Sequence, residues 1–251
     1  MKQAHRMTDQ SSQRADWLES GRRFILGRTP SHRLGEDFFN FYGWLAPQAR
    51  GRVLDAGCGS GLSTFLLAHR ATEVWGIDVS EAAIAFATDW YLRPHLRFSV
   101  GDLRTVALPD SYFDVIVLTF VIEQLDREAQ APLLQRLQSA LAVGGTLIIA
   151  TPNRLVTSPR RRRSGNAWNV KELSRQELTA LLCSVGFTRQ EWYGQRMVFR
   201  PLVWYPIRGL IRLLERTVGR PFGFYGRRES PRVKPCQWYW QPKEFIMVTK
   251  K

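Results

Sequence analysis

Cysteine, long apolar runs and acidic side chains are all scarce in this sequence. The three cysteines, Cys58, Cys183 and Cys236, stand far apart without a CxxC pair. This spacing supports neither a disulfide framework nor a zinc knuckle and fits a reducing cytoplasm. No stretch reaches the roughly 18 apolar residues of a membrane-spanning helix. The first ten residues are polar and lack the apolar core of a signal peptide. We therefore expect a cytoplasmic protein.

The shortage of acidic residues leaves a strongly basic chain. Its 36 lysines and arginines outnumber 22 aspartates and glutamates, giving a net charge of +14 and an isoelectric point near 10.4. Such a charge attracts nucleic acid, an anionic membrane surface or an acidic substrate, and composition does not choose among them. With 251 residues, 44% of them hydrophobic, the chain can bury the core of one α/β domain with additions.

One glycine-rich stretch organises the rest of the chain. It reads Arg-Val-Leu-Asp-Ala-Gly-Cys-Gly-Ser-Gly, a short apolar strand that ends at Asp55 and is followed by Gly57, Gly59 and Gly61. Alternate glycines permit positive φ and let a ligand approach the backbone amides, at the edge where open α/β sheets bind ligands. The spacing differs from the dinucleotide fingerprint Gly-x-Gly-x-x-Gly. We expect a strand-to-helix turn that binds a nucleotide-type ligand.

Further apolar segments predict strands that alternate with helices. Residues 113–119 form a nearly continuous apolar run, typical of a parallel strand buried on both faces. Strands and helices that alternate at this spacing form a doubly wound, mainly parallel sheet with right-handed crossovers. The remaining predicted strands are residues 73–78, 95–100, 146–150, 187–193 and 244–249.

Helix signals lie between these strands. Pro132 is expected in the first turn of a helix, where its missing N–H costs little. Ser174 and Glu177 form a capping box that opens a later helix. The helix after the glycine turn is expected to bury a face of residues three and four apart: Leu62, Phe65, Leu66 and His69.

Five motifs in fixed order and spacing together resemble one family. They read Val-Leu-Asp-Ala-Gly-Cys-Gly-Ser-Gly, Gly-Ile-Asp-Val-Ser, Val-Gly-Asp-Leu, Phe-Asp-Val-Ile-Val-Leu-Thr-Phe-Val-Ile-Glu-Gln-Leu and Gly-Gly-Thr-Leu-Ile-Ile-Ala-Thr-Pro-Asn. This set, over about residues 50 to 190, resembles the class I S-adenosylmethionine-dependent methyltransferases, in the branch of small bacterial enzymes that methylate metabolites, quinones and lipids, with some tRNA-modifying members. The resemblance implies a Rossmann-like, doubly wound, seven-stranded α/β sheet, mostly parallel with the last strand antiparallel.

The resemblance also implies the cofactor S-adenosylmethionine, the product S-adenosylhomocysteine and their binding residues. Asp78, at the end of the second strand, suits the ribose hydroxyls. Asp102 would accept from the adenine amino group beside the N–H of Leu103, although an ordinary Gly-Asp turn also explains Asp102. Asp55 and the glycine turn would hold the methionine part, and the carbonyl of Thr119 its amino group. The positions carried over are Asp55, Gly57, Gly59, Gly61, Asp78, Val79, Asp102, Leu103 and Thr119.

The chain departs from the family where many relatives carry histidines. It has Glu123 and Gln124 after the fourth strand and Asn-Val-Lys-Glu at 169–172. An activated sulfonium donor needs an acceptor in line with the methyl group, and needs a base only if the acceptor must lose a proton. Glu123 and His32 remain as base candidates, a cap acid or a surface histidine being the alternative explanation of each. We assign no catalytic residue and expect no metal.

Basic and aromatic segments follow the fifth and sixth strands. Residues 203–218 combine an apolar face with arginines every fourth position, a pattern that fits a helix in a lipid interface, a lid over the substrate pocket or a dimer contact. Arg160–Arg163 could bind phosphate or carboxylate groups or form a solvated charge run. Trp238–Trp240 could stack a base or pack in the core.

These predictions combine into one domain plan and one function. Residues 1–45 are expected to form an N-terminal helical arm, 46–193 the cofactor-binding core, 194–241 a basic amphipathic insertion and 242–251 the final strand. The predicted function is S-adenosylmethionine-dependent methylation of a small or lipid-like metabolite, with peripheral membrane contact through residues 203–218 left open. A tRNA or RNA methyltransferase and a non-catalytic cofactor-binding subunit are the alternatives. Salt-sensitive RNA binding, or cofactor binding without transfer, would distinguish them.

Overall fold

The computed structural model describes residues 32–157, 169–199, 205–219, 232–236 and 240–251. Its helices are α1 (His32–Leu45), α2 (Leu62–Leu67), α3 (Glu81–Trp90), α4 (Arg127–Ala140), α5 (Arg154–Thr157), α6 (Arg175–Ser184) and α7 (Tyr205–Val218), with 3-10 turns at Ala46–Gln48 and Ile122–Gln124. Its strands are β1 (Gly51–Ala56), β2 (Ala71–Asp78), β3 (Leu96–Val100), β4 (Phe113–Thr119), β5 (Leu141–Pro152), β6 (Gln190–Phe199), β7 (Lys234–Pro235) and β8 (Trp240–Lys250). No described helix has both the length and the apolar character needed to cross a membrane.

The strands form a single twisted sheet with the order β3-β2-β1-β4-β5-β8-β6-β7. The five strands from β3 to β5 pair in parallel, whereas β8 is antiparallel to both β5 and β6. The predicted doubly wound, mostly parallel sheet with an antiparallel last strand is therefore confirmed. The described residues form eight strands where seven were predicted. The additional strand is the two-residue β7, which pairs with β6 at the edge of the sheet.

Hydrophobic side chains cover both faces of this sheet. On one face α4 and α6 bury leucines, including Leu134 and Leu178, against the central strands. On the other face α1 and α2 contribute Phe41, Leu45 and Leu67 to a second cluster. Side chains of the same strands that point to this face complete the cluster. Because the parallel strands end at one edge, the loops after β1, β2, β3 and β4 meet there and build the candidate site.

Several strand predictions were too short, and β5 in particular runs over Leu141–Pro152 where residues 146–150 were predicted. β6 continues to Phe199 and β8 begins at Trp240, so the ends of the predicted insertion 194–241 belong to the sheet. The two strands pair with each other in antiparallel register from Gln190 opposite Thr249 to Phe199 opposite Trp240. This long ladder satisfies the backbone groups of residues that apolar periodicity did not mark as strand. The remaining domain boundaries stay a prediction.

The predicted buried face of α2 was wrong. Ser63, Thr64 and Leu67 are its buried residues, whereas Phe65 is partly buried and His69 is exposed beyond the end of the helix. The serine and threonine point inward because their hydroxyl groups bond to a buried carboxylate of β1. Hydrophobic spacing alone gave no indication of this polar contact.

The prediction for Pro132 was also wrong, whereas the capping box was right. α4 begins five residues before the proline, at Arg127, because the side chain of Asp126 caps it by accepting from the N–H of Ala129 at 2.9 Å. Pro132 therefore lies inside the helix, where it removes one intrahelical hydrogen bond. The capping box of Ser174 and Glu177 at the start of α6 is confirmed, with both reciprocal bonds formed.

Candidate cofactor site

The turn between β1 and α2 depends on its three alternate glycines. The φ angle is +85° at Gly57, +54° at Gly59 and +84° at Gly61, values that other residues rarely adopt. Space is restricted as well, since a Cβ atom on Gly57 would lie 2.2 Å from Cγ2 of Val121. The N–H of Gly57 donates to the carbonyl of Ile77 at 2.8 Å and so ties the turn to β2. The turn brings backbone close to the edge where β1 and β2 end.

Asp55, at the end of β1, has a fully buried carboxylate. Its Oδ2 accepts from Ser63 Oγ at 2.7 Å and from Thr64 Oγ1 at 2.8 Å. Its Oδ1 is buried and has no hydrogen-bond partner. Burial raises the pKa of Asp55 to about 6, against the opposing effect of the two hydroxyl donors. A buried acceptor without a donor costs free energy, so Oδ1 is a position where a ligand donor would stabilise the site.

Asp78, at the end of β2, is oriented by two backbone groups. Its Oδ2 accepts from the N–H of Gly59 and its Oδ1 from the N–H of Ser80, each at 2.9 Å. A carboxylate oxygen can accept more than one hydrogen bond, so each retains capacity for a ribose hydroxyl. The next residue, Val79, is 50% exposed at the same edge. The carboxylate is thus fixed in direction and still able to bind a diol.

Asp102, after β3, is paired with a neighbouring arginine. The guanidinium of Arg104 donates to both carboxylate oxygens, with an Nη2–Oδ2 distance of 2.6 Å and Nε distances of 3.0 Å. These bonds lower the pKa of Asp102. Leu103 is buried and its carbonyl accepts from Arg136 Nε at 3.2 Å. Arg104 therefore occupies the carboxylate that was predicted to accept from an adenine amino group.

Helix α1 reaches the same edge through Tyr42. The hydroxyl of Tyr42 lies 3.2 Å from Oγ1 of Thr119, the last residue of β4. Burial and the nearby charge of Asp55 raise the pKa of Tyr42, so its hydroxyl stays protonated at neutral pH and is able to donate. The residue that follows, Phe120, has a φ of +56° and is 40% exposed. Strained, partly exposed residues of this kind are frequent where ligands bind.

A buried ion pair holds α1 against β6. The Nη2 atom of Arg196 lies 2.8 Å from Oδ1 of Asp37, and both side chains are largely buried. The side chain of Gln195 also donates to the carbonyl of Asp37 at 2.9 Å. Arg196 has a φ of +51°, a conformation unusual for a residue with a side chain. Removing one member of a buried pair leaves an uncompensated charge, so this contact fixes the helix that carries Tyr42.

Glu123 is the general-base candidate whose side chain the structure describes, and this side chain lies beneath the surface. Its side chain is 1% exposed and accepts from the hydroxyl of Thr151 at 2.9 Å. Burial, with a smaller contribution from the neighbouring carboxylates of Glu172 and Glu244, raises the pKa of Glu123 to about 7. The geometry resembles that of a structural carboxyl group more than that of a base facing a substrate.

Several sequence predictions lie outside the described residues. His32 begins α1, but its side chain is not among the described parts. Arg160–Arg163 and Trp238–Tyr239 are likewise not described. Within the ranges that are described, no group of histidine, cysteine and carboxylate side chains is placed to hold a metal ion.

Three residues of the site were missed by the sequence analysis. Ser63 and Thr64 follow Asp55 by eight and nine residues, and the only available signal was a polar pair in an otherwise apolar helix. Tyr42 stands 77 residues before its partner Thr119, and the only signal in the sequence is the abundance of aromatic residues in its segment.

The residues present fit S-adenosylmethionine at most positions. The unpartnered oxygen of Asp55 suits a cationic or N–H donor, the amide-rich turn suits a carboxylate and Asp78 suits a ribose. The pair of Asp102 with Arg104 fits less directly, because the carboxylate must release the arginine to accept from adenine.

Comparison with known proteins supports the same assignment. Residues 53–145 match the family model described as Methyltransferase domain. A protein named probable S-adenosylmethionine-dependent methyltransferase from Mycolicibacterium smegmatis is 38% identical over 154 residues, which are 61% of this chain and 58% of that protein. Trans-aconitate 2-methyltransferase from Variovorax paradoxus is 40% identical over 104 residues, 41% of this chain and 39% of that protein. This chain thus spans little more than half the length of the first of these relatives.

A solved structure shows the same fold. The crystal structure of a SAM-dependent methyltransferase from Archaeoglobus fulgidus superposes with a TM-score of 0.61 at 20% identity and covers 88% of this chain and 95% of that one. At this identity the likeness concerns the fold alone. Residues 53–145 thus match the methyltransferase family model, and the region around them is similar to proteins named as S-adenosylmethionine-dependent methyltransferases.

Proposed function

We propose that this chain transfers a methyl group from S-adenosylmethionine to a small or lipid-like acceptor. The observation that carries the proposal is the arrangement of Asp55, the glycine turn and Asp78 at the ends of β1 and β2, within the residues that match the family model. A buried carboxylate oxygen without a donor lies beside a strained backbone turn and an oriented diol acceptor. This combination suits the amino acid and ribose parts of the cofactor.

In this proposal the predicted residues contact different parts of the cofactor. The carboxylate of Asp78 binds the ribose, and Val79 lies alongside. Asp102 and the N–H of Leu103 bind the adenine once Arg104 has moved aside. The methionine part lies among a further set of residues: Asp55, Gly57, Gly59, Gly61 and the carbonyl of Thr119. We add Tyr42, because its protonated hydroxyl faces the same end of the site.

The cofactor supplies an activated methyl group on a sulfonium sulfur. The protein contributes mainly by positioning the acceptor relative to this methyl group. In-line placement of an acceptor can supply a large part of a rate enhancement without acid or base catalysis. We assign no general base, since Glu123 is 1% exposed and bonded to Thr151. An acceptor atom that does not have to lose a proton requires none.

One observation supports a small acceptor, and another supports some apolar character. One relative in the matched region is named trans-aconitate 2-methyltransferase, whose acceptor is a small molecule by that name. The partly exposed ring of Phe120 stands directly after β4, at the edge where the cofactor is proposed to bind. A lipid-like acceptor would lie at a membrane surface, and peripheral contact through residues 203–218 would bring the chain to it.

The test is an untargeted transfer assay. Purified protein is incubated with S-adenosylmethionine labelled in the methyl group and with separate metabolite, lipid and RNA fractions. We expect label in a metabolite or lipid fraction, and none with the Asp78→Ala variant. Label confined to RNA would instead support a tRNA or RNA methyltransferase. Cofactor binding without label in any fraction would support a non-catalytic subunit.

A further inference from the structure

Helix α7 separates apolar and basic side chains onto two faces. At about 100° per residue, Leu210, Leu214 and Val218 fall on one side. Arg212 and Arg216 fall on the opposite side, one turn apart. The apolar stripe of such a helix typically faces the core or another apolar surface.

The apolar face of α7 is largely exposed in the part of the chain that the structure describes. The exposed fractions of its large side chains are 56% for Leu210, 58% for Leu213, 43% for Leu214 and 54% for Val218. A lid packed against the substrate pocket would bury these side chains against the sheet. Exposed apolar side chains that lie next to one another often mark a binding surface, whereas single scattered ones do not.

The positive charge of the sequence is concentrated in the stretch that contains this helix. Between residues 200 and 234 the sequence has nine arginines and lysines and two glutamates, so about half of the net charge of +14 lies in this short stretch. Of the described α7 side chains, Arg212 and Arg216 are exposed and Glu215 is partly buried. The apolar face therefore belongs to a helix whose own exposed side chains include two arginines, within a basic stretch of the sequence.

A second copy of the chain is a poor occupant for this face. In a two-fold dimer the same basic segment would face itself, and like charges would repel. Four partly exposed side chains also offer a few hundred Å² at most, well below the roughly 800 Å² that each partner buries in a standard stable interface. Nucleic acid would use the arginines but would leave the leucines in water.

We propose that α7 binds the surface of an anionic lipid bilayer. The helix lies in the plane of the interface with Leu210, Leu214 and Val218 inserted below the headgroups, while Arg212 and Arg216 pair with lipid phosphates. The apolar face of the helix is then in contact with lipid chains, and its basic face is in contact with the headgroups. This surface is separate from the cofactor site and does not depend on the proposed methyl transfer.

Flotation with lipid vesicles tests this surface on the full chain without cofactor. One set of vesicles is pure phosphatidylcholine and the other contains equal parts of phosphatidylcholine and phosphatidylglycerol. We expect the protein to float with the anionic set and to be released by high salt. The Leu210→Ser/Leu214→Ser double variant is expected to lose at least roughly tenfold in vesicle affinity. Arg212→Gln/Arg216→Gln is expected to lose binding to the anionic set.

Matched control variants carry equivalent changes elsewhere. Leu92→Ser/Val143→Ser removes two apolar side chains that are 81% and 91% exposed, and Arg70→Gln, an exposed arginine, removes a positive charge away from α7. Both are expected to bind vesicles like the wild type. Circular dichroism checks that every variant remains folded.

Three results would overturn the proposal. The first is a wild-type protein that does not float with the anionic vesicles. The second is a leucine variant that binds vesicles as tightly as the wild type while light scattering shows that it has changed from dimer to monomer, which would assign the face to a second copy. The third is arginine-dependent binding to RNA that is unaffected by the leucine substitutions. None of these results bears on cofactor binding, so the proposed function is tested separately.

Discussion

Replacement of Asp55 by asparagine is predicted to stabilise the fold while weakening the cofactor site. The carboxylate is fully buried, receives two hydroxyl hydrogen bonds on one oxygen and has no partner on the other. Asparagine retains an acceptor for Ser63 and Thr64 but carries no charge. The protein thus keeps a costly buried charge at this position, which a cofactor with a cationic amino group would compensate.

The size of the effect follows from the pKa shift. Folding raises the pKa of Asp55 from 3.8 to about 6. Between these pH values the folded state binds more protons than the unfolded state, so stability from this group is present at low pH and lost as pH rises through 6. At about 1.4 kcal/mol per pKa unit, the loss approaches about 3 kcal/mol above pH 7. The variant avoids this loss, and its advantage should grow by about 1.5 kcal/mol between pH 5 and pH 8.

Urea denaturation at pH 5, 6, 7 and 8 measures the stability difference, and titration calorimetry measures binding of S-adenosylhomocysteine. Asp55→Asn is expected to be more stable than the wild type at pH 8 and to bind the ligand roughly tenfold or more weakly. Asp89→Asn, at an exposed aspartate of α3, controls for the loss of one negative charge. A stability difference that does not change with pH, or unaltered ligand affinity, would refute the reasoning.

Three other substitutions probe the rest of the site. Gly57→Ala should lower the free energy of unfolding by about 2 kcal/mol or more in urea denaturation, because the residue has positive φ and its Cβ would collide with Val121; unchanged stability would show that the turn can relax. Arg104→Ala should tighten S-adenosylhomocysteine binding in calorimetry by freeing Asp102, and weaker binding would argue against competition. Tyr42→Phe should weaken that binding severalfold while costing only about 1 kcal/mol of stability, and full affinity would remove its hydroxyl from the site.

The features predicted correctly from the sequence depend on neighbours along the chain. The apolar run of β4, the capping box of Ser174 and Glu177 and the alternate glycines after Asp55 each have a local physical cause that a short window reveals. The strand-end positions of Asp55 and Asp78 follow from the same alternation. Parallel topology then brings these ends to one edge without any further information.

The features that were missed depend on contacts between distant residues. Tyr42 meets Thr119 across 77 residues, and Asp37 meets Arg196 across 159, so no window contains both partners. The inward orientation of Ser63 and the early start of α4 show the same limit on a smaller scale, because a buried carboxylate and an aspartate cap override hydrophobic spacing and the usual place of proline. Pairing with β8 similarly extends β6 beyond its apolar segment.

The most direct test of the account is calorimetric titration of S-adenosylhomocysteine into the wild type and into Asp78→Ala. The account predicts a single saturable site in the wild type and a loss of at least roughly tenfold in affinity in the variant, because the oriented carboxylate is proposed to bind the ribose diol. Absence of binding heat in the wild type over a range of temperatures, or equal affinity in the two proteins, would contradict it.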